Sequence, residues 1–146
     1  MKSLTTTIAL LLFATGAAHA LDFKSVGAAP AVLYDAPSEK GRKVFVAPRG
    51  MPVEIVLTYG EWTKVRDAAG DLFWIESKAL SPKRTLVVSA ANAKARVGPD
   101  DNAPLAFTAD KGVLLELVEL GSPGWLKVRH RDGQSAYLRV ADVWGE

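Results

Sequence analysis

Trp62-Thr63-Lys64-Val65-Arg66 recurs as Trp125-Leu126-Lys127-Val128-Arg129, differing at one position, and this recurrence decides the fold. Working outward, a glycine follows each block at the same distance, Gly70 and Gly133, and then an aromatic before an aliphatic, Trp74-Ile75 and Tyr137-Leu138. Upstream, Ala31, Pro37, Phe45, Gly50 and Glu54 fall on Ala93, Pro99, Phe107, Gly112 and Glu116. The stretch from Ala31 to Leu80 therefore overlays Ala93 to Val143 with one inserted residue. A period of about sixty residues is longer than a solenoid repeat, so each copy is expected to be a small domain with its own core.

The local pattern is β. Val53, Ile55 and Leu57 alternate with Glu54 and Thr58, and Leu115 and Leu117 alternate with Glu116, the period of a half-buried strand. Val56 and Val118 break the polar face. In the repeated block Thr63 and Val65 should face one way and Trp62, Lys64 and Arg66 the other, a choice that Leu126 and Val128 repeat. Turn residues punctuate these runs every ten residues or so, among them Pro48-Arg49-Gly50, Asp110-Lys111-Gly112 and Ser122-Pro123-Gly124. Asp132-Gly133 is a hairpin signal and Asp67 to Gly70 its counterpart. No segment sustains a helical period; Ser77 to Leu80 and Val140 to Val143 fit single helical turns that act as connectors.

The surroundings of the repeat set the expected compartment. Lys2, an apolar run from Ile8 to Ala14 and the small-x-small triplet Ala18-His19-Ala20 read as a secretory leader over residues 1–20, cleaved after Ala20. The run falls short of the roughly 20 residues that cross a bilayer, so no membrane anchor is expected after cleavage, and the mature chain is expected to be periplasmic or secreted. It contains no cysteine, so each module must hold together by packing alone. A domain of about 60 residues buries only about 60% of its unfolded surface, and contact between the copies should stabilise both. The whole chain has a net charge of +2, and loss of Lys2 leaves +1. No clustered basic face points to nucleic acid.

Catalysis finds little to work with. His130 is the one histidine after the leader, and without cysteine neither a Cys-His nucleophile pair nor a multi-histidine metal site can be assembled. Asp22, Asp100 and Asp101 read as terminal or turn residues rather than a glycosidase pair. Glu54 and Glu116 read as solvated strand residues or as cross-strand partners of Lys64 and Lys127. The expectation is a protein that is not an enzyme and takes no metal or organic cofactor. A binding module needs a concave surface with aromatic anchors. The candidates are Tyr34, Trp62, Phe73 and Trp74 in the first copy and Arg96, Trp125 and Tyr137 in the second. The same tryptophans could instead close one end of a small core.

The residues that carry the repeat also resemble a family, the bacterial Src-homology-3 domains in their tandem exported form. The resemblance rests on A-x-x-R-x-G-P-D at Ala93 to Asp100, G-W-L-K-V-R at Gly124 to Arg129 and G-x-x-x-Y-L at Gly133 to Leu138. In the first copy it rests on E-W-T-K-V-R at Glu61 to Arg66, G-D-L-F-W-I at Gly70 to Ile75 and L-S-P-K-R-T-L-V-V at Leu80 to Val88. The first copy departs from the pattern with Tyr34 in place of arginine and Phe73 in place of glycine. The resemblance implies an all-β protein of two tandem SH3-like barrels of five to six strands each, over 21–83 and 84–146, closely packed through a short linker. Arg84 to Val88 would be the strand entering the second barrel. For function it implies recognition of peptidoglycan or its stem peptides, with binding to another envelope protein as the alternative.

Overall fold

The computed structural model describes residues 21–146, and the leader reading of residues 1–20 lies outside the described residues. The first lobe is built from β1 (Phe23–Val26), β2 (Ala31–Tyr34), β3 (Lys43–Ala47), β4 (Pro52–Tyr59), β5 (Trp62–Arg66), β6 (Leu72–Glu76) and the two-residue β7 (Leu80–Ser81). They form one sheet in the order β3-β2-β6-β5-β4-β1-β7. The second lobe repeats this with β8 (Thr85–Val88), β9 (Ala93–Arg96), β10 (Leu105–Ala109), β11 (Leu114–Leu120), β12 (Trp125–Arg129), β13 (Ser135–Arg139) and β14 (Val143–Trp144). Its order, β10-β9-β13-β12-β11-β8-β14, matches strand for strand. The two single turns are 3₁₀, at Ser77–Ala79 and Val140–Asp142. Each sheet has seven strands rather than five or six, and its end strands do not pair with each other, so it stays open rather than closing into a barrel.

Alternation places the core as the sequence requires. Thr63 and Val65 are buried on the inner face of β5, and Leu126 and Val128 on that of β12. Val26, Leu33, Ala47, Val53, Val65 and Ile75 centre the first core. Their counterparts in the second are Val88, Ala95, Ala109, Leu115, Val128 and Leu138. The turns also repeat. Gly50 and Gly112 adopt φ of 81° and 93°, which lets their N–H groups donate to the carbonyls of Val26 and Val88 at 2.8 Å each. In the β5–β6 hairpin Asp67 accepts the N–H groups of Ala69 and Asp71 on its own carboxylate, the local bonding for which aspartate is favoured in turns.

Val56 and Val118 are explained by bulges. The pairing of β4 with β5 slips between Ile55 and Leu57, and that of β11 with β12 between Leu117 and Glu119. One extra residue in each strand shifts the register and bends the ladder. The observed register also corrects the expected ion pairs. Glu54 stands opposite Arg66, not Lys64, and accepts its Nη1 at 2.8 Å. Glu116 stands opposite Arg129, not Lys127, at 3.7 Å, with Lys83 at 3.4 Å, and Lys127 is left to Glu119 at 3.9 Å. On the outermost strand of the first sheet, β3, Val44, Phe45 and Val46 are exposed.

Three residues separate β7 from β8, and the lobes meet along a seam beside this link. The buried ring of Phe23, from the first strand, meets Trp144, from the last, edge to face at 5.2 Å between centroids. The Arg84 guanidinium lies 5.5 Å from the centroid of the Phe23 ring and donates to the Gly145 carbonyl at 3.0 Å. Two buried hydroxyls are satisfied here: Ser25 donates to the Lys83 carbonyl and Thr85 to the Gly50 carbonyl, both at 2.7 Å. Gly145 is packed so closely, at φ 119°, that a Cβ would sit 2.8 Å from the Thr85 carbonyl oxygen and 3.1 Å from Pro52.

Candidate functional site: a groove repeated in both lobes

In each lobe the segment entering the second strand runs beside the 3₁₀ turn that follows the sixth. The Gly27 N–H donates to the Ala79 carbonyl at 2.8 Å, and the Ser89 N–H to the Asp142 carbonyl at 2.9 Å. Above each of these bonds lies a groove. The first, about 310 Å³, is lined by Pro30, Val32, Tyr34, Glu76 and Lys78 among others. The second, about 220 Å³, is lined by Lys94, Arg96, Asp101, Trp125, Arg139 and Asp142 among others. These are the same place in the repeat: Tyr34 corresponds to Arg96, Glu76 to Arg139 and Ala79 to Asp142.

The walls differ in chemistry. In the first lobe Tyr34 is buried edge to face against Trp62, 5.2 Å between centroids, and stands opposite Trp74 in the ladder. Lys64 lies 5.9 Å from the centroid of the Trp74 ring. Glu76 accepts from Lys78 at 3.0 Å, and that hydrogen bond holds the Lys78 ammonium above its ordinary pKa. In the second lobe Trp125 is buried beneath the guanidinium of Arg139, 4.8 Å from its ring centroid. Arg139 also grips Asp101 with two donors, the Nε donor at 3.0 Å. That hydrogen bond lowers the Asp101 carboxyl below the usual range and raises the Arg139 guanidinium. Arg96 donates to the Ala103 carbonyl at 2.9 Å and faces Tyr137 across the ladder.

Of the seven residues expected from the sequence, Tyr34, Trp62 and Trp74 gather on the outer face of the first lobe, and Arg96, Trp125 and Tyr137 on that of the second. Phe73 does not join them. It stands opposite Val65 on the inner face and packs against the core, where the second lobe has Ala136. Trp62 and Trp125 lie on the outer face as alternation requires, yet Trp125 is buried there by the groove's own side chains. His130 sits in the β12–β13 hairpin beside Phe107 and accepts the Asp132 N–H at 3.3 Å. Aromatic anchors alone leave out the charged members Glu76, Lys78, Lys94, Asp101, Arg139 and Asp142. Their signal was available in the repeat, where glutamate and arginine exchange at 76 and 139, both one residue after the aliphatic of the aromatic-aliphatic pair.

The family described as bacterial SH3 domain matches residues 27–82 and again 89–145. The chain belongs to the bacterial SH3 domain family. Among curated proteins, no sequence matches significantly. Solved structures similar to this tandem SH3 chain include NlpC2 from Trichomonas vaginalis, at 12% identity and a TM-score of 0.40, over 87% of this chain and 49% of that one. NlpC1 from the same organism matches at 13% identity and 0.40, over 96% and 51%. An NlpC/P60 family protein from Bacillus cereus matches at 17% and 0.38, over 84% and 56%. The chain thus spans about half the length of these proteins.

Proposed function

We propose that the protein is a non-catalytic, exported binding module of the bacterial cell envelope that holds peptidoglycan or its stem peptides in its paired grooves. The observation that supports this most is the recurrence, at one place in both SH3 lobes, of a concave surface with a large aromatic in its wall, Tyr34 packed on Trp62 in the first and Trp125 beneath Arg139 in the second. On the same outer face Trp62 and Trp74 are half-buried, which leaves flat aromatic area for a sugar ring or peptide at low entropic cost, and nearby charged groups orient it. The test is sedimentation of residues 21–146 with protein-free sacculi. The wild type should pellet, and Trp62→Ala, half-exposed and outside the core, should pellet several-fold less while keeping its far-ultraviolet circular dichroism. A protein that stays in the supernatant refutes wall binding.

One observation favours a second reading, an interaction with another envelope protein. β3 ends the first sheet with its outer edge unpaired and Val44, Phe45 and Val46 exposed, a template for strand addition. Co-purification from an envelope extract, without binding to bare sacculi, would select it.

A further inference from the structure

The two grooves occupy equivalent places, yet their charged side chains have been exchanged. Where the first lobe has Glu76, paired to Lys78, the second has Arg139, and where the first has Tyr34 the second has Arg96. We propose that the second groove is a carboxylate site, with Arg139 as the ligating cation, and that the first groove rejects the same ligand. The proposal rests on reading the grooves as binding sites and names what one of them takes: the free carboxylate end of a peptide.

Three features fit Arg139 for this. Its guanidinium is planar and presents paired donors that match a carboxylate, as its grip on Asp101 already displays. It lies over the Trp125 ring, so its orientation does not depend on Asp101 alone. The Arg139–Asp101 pair is also exposed, with 46% and 60% of the two side chains open to solvent. Exposed pairs are weak because water screens them and two long side chains must be ordered, so an incoming carboxylate can take the place of Asp101 at small cost. Asp101 is then an internal stand-in for the ligand. Lys94 and Arg96 leave the groove with three cations against the carboxylates of Asp101 and Asp142. In the first lobe the Glu76 carboxylate stands where the second has its ligating Arg139, and it repels the same ligand.

The experiment is a titration of ¹⁵N-labelled residues 21–146 with N-acetyl-D-alanyl-D-alanine and, separately, with its carboxamide. The acid should move the Trp125 indole and Arg139 Nε signals and leave the Trp62 indole in place, with the carboxamide binding about tenfold more weakly, as the loss of a charge-assisted bond implies. Arg139→Gln should weaken the acid by about the same factor. Asp101→Asn should strengthen it roughly two- to fivefold by freeing Arg139 from its competitor. Equal binding of acid and amide, movement of Trp62 instead of Trp125, or weaker binding by Asp101→Asn would each overturn the proposal. Pelleting with sacculi that Arg139→Gln leaves intact, with acid and amide alike, would remove the carboxylate site and keep wall binding. Acid preference without pelleting would do the reverse.

Discussion

Replacing Phe23 with alanine should do more than lower stability: it should separate two transitions that the wild type makes as one. The Phe23 ring is buried, and the aromatic and cationic partners it meets, Trp144 and Arg84, lie outside the first sheet. Truncating a buried phenylalanine costs about 3–5 kcal/mol. The edge-to-face and cation–π interactions removed with the ring, each about 0.5–1.5 kcal/mol, overlap with that burial and are not added to it. Because the ring lies at a seam where the lobes can relax, the low end, about 3 kcal/mol, is expected. For a chain of this size that corresponds to a fall in melting temperature of roughly 10 °C. A lobe of about 60 residues is marginal alone, so once the seam is loosened each lobe should melt on its own. Calorimetry of the variant should show two components, and Leu120→Ser, at a residue 74% exposed, should change stability by less than about 0.5 kcal/mol. A single transition shifted by under about 1 kcal/mol would refute the seam as a coupling element.

Gly145→Ala should lose at least about 2 kcal/mol in urea denaturation, because alanine is strained at φ 119° and its Cβ would press on the Thr85 carbonyl. Glu54→Gln should cost about 1 kcal/mol by the same assay, since Arg66 would lose a charge-assisted bond beside a half-buried partner, and Lys64→Gln should cost less. Asp101 and Asp132 both have depressed carboxyl pKa values, the first from the Arg139 hydrogen bond and the second chiefly from the Gln134 N–H. The stability they lend is complete above the unfolded value near about 3.9 and is lost as pH falls through the folded values. Melting temperature should therefore fall on acidification below about pH 4, less steeply in Asp101→Asn.

The parts of the fold legible in the sequence are those the two copies share. Core alternation, the hairpin at Asp132-Gly133, the glycine turns and both 3₁₀ turns obey local rules, and duplication states each rule twice. What was hidden lies where the copies differ. Phe23 corresponds to Thr85, and Trp144 to Ser81, because each residue answers a neighbour that the equivalent position does not have. No repeat comparison can reveal a contact made only once. The ion pairs of Glu54 and Glu116 were misassigned for another reason: alternation puts Lys64 and Arg66, like Lys127 and Arg129, on one face, and only the hairpin register selects the arginine as the partner. At the site, the outer-face aromatics followed from strand alternation, whereas Phe73 turned inward by the same rule applied one residue along. Arg139 gains its meaning only from being held over Trp125.

The seam also has a mechanical side. Since Phe23 in the first strand touches Trp144 in the last, any segment attached ahead of β1 and any attached behind β14 would leave the body side by side. A tether drawing those two ends apart would load that aromatic contact together with the Arg84–Gly145 hydrogen bond beside it. The pair of lobes would open like a clasp, while each sheet kept its own strands.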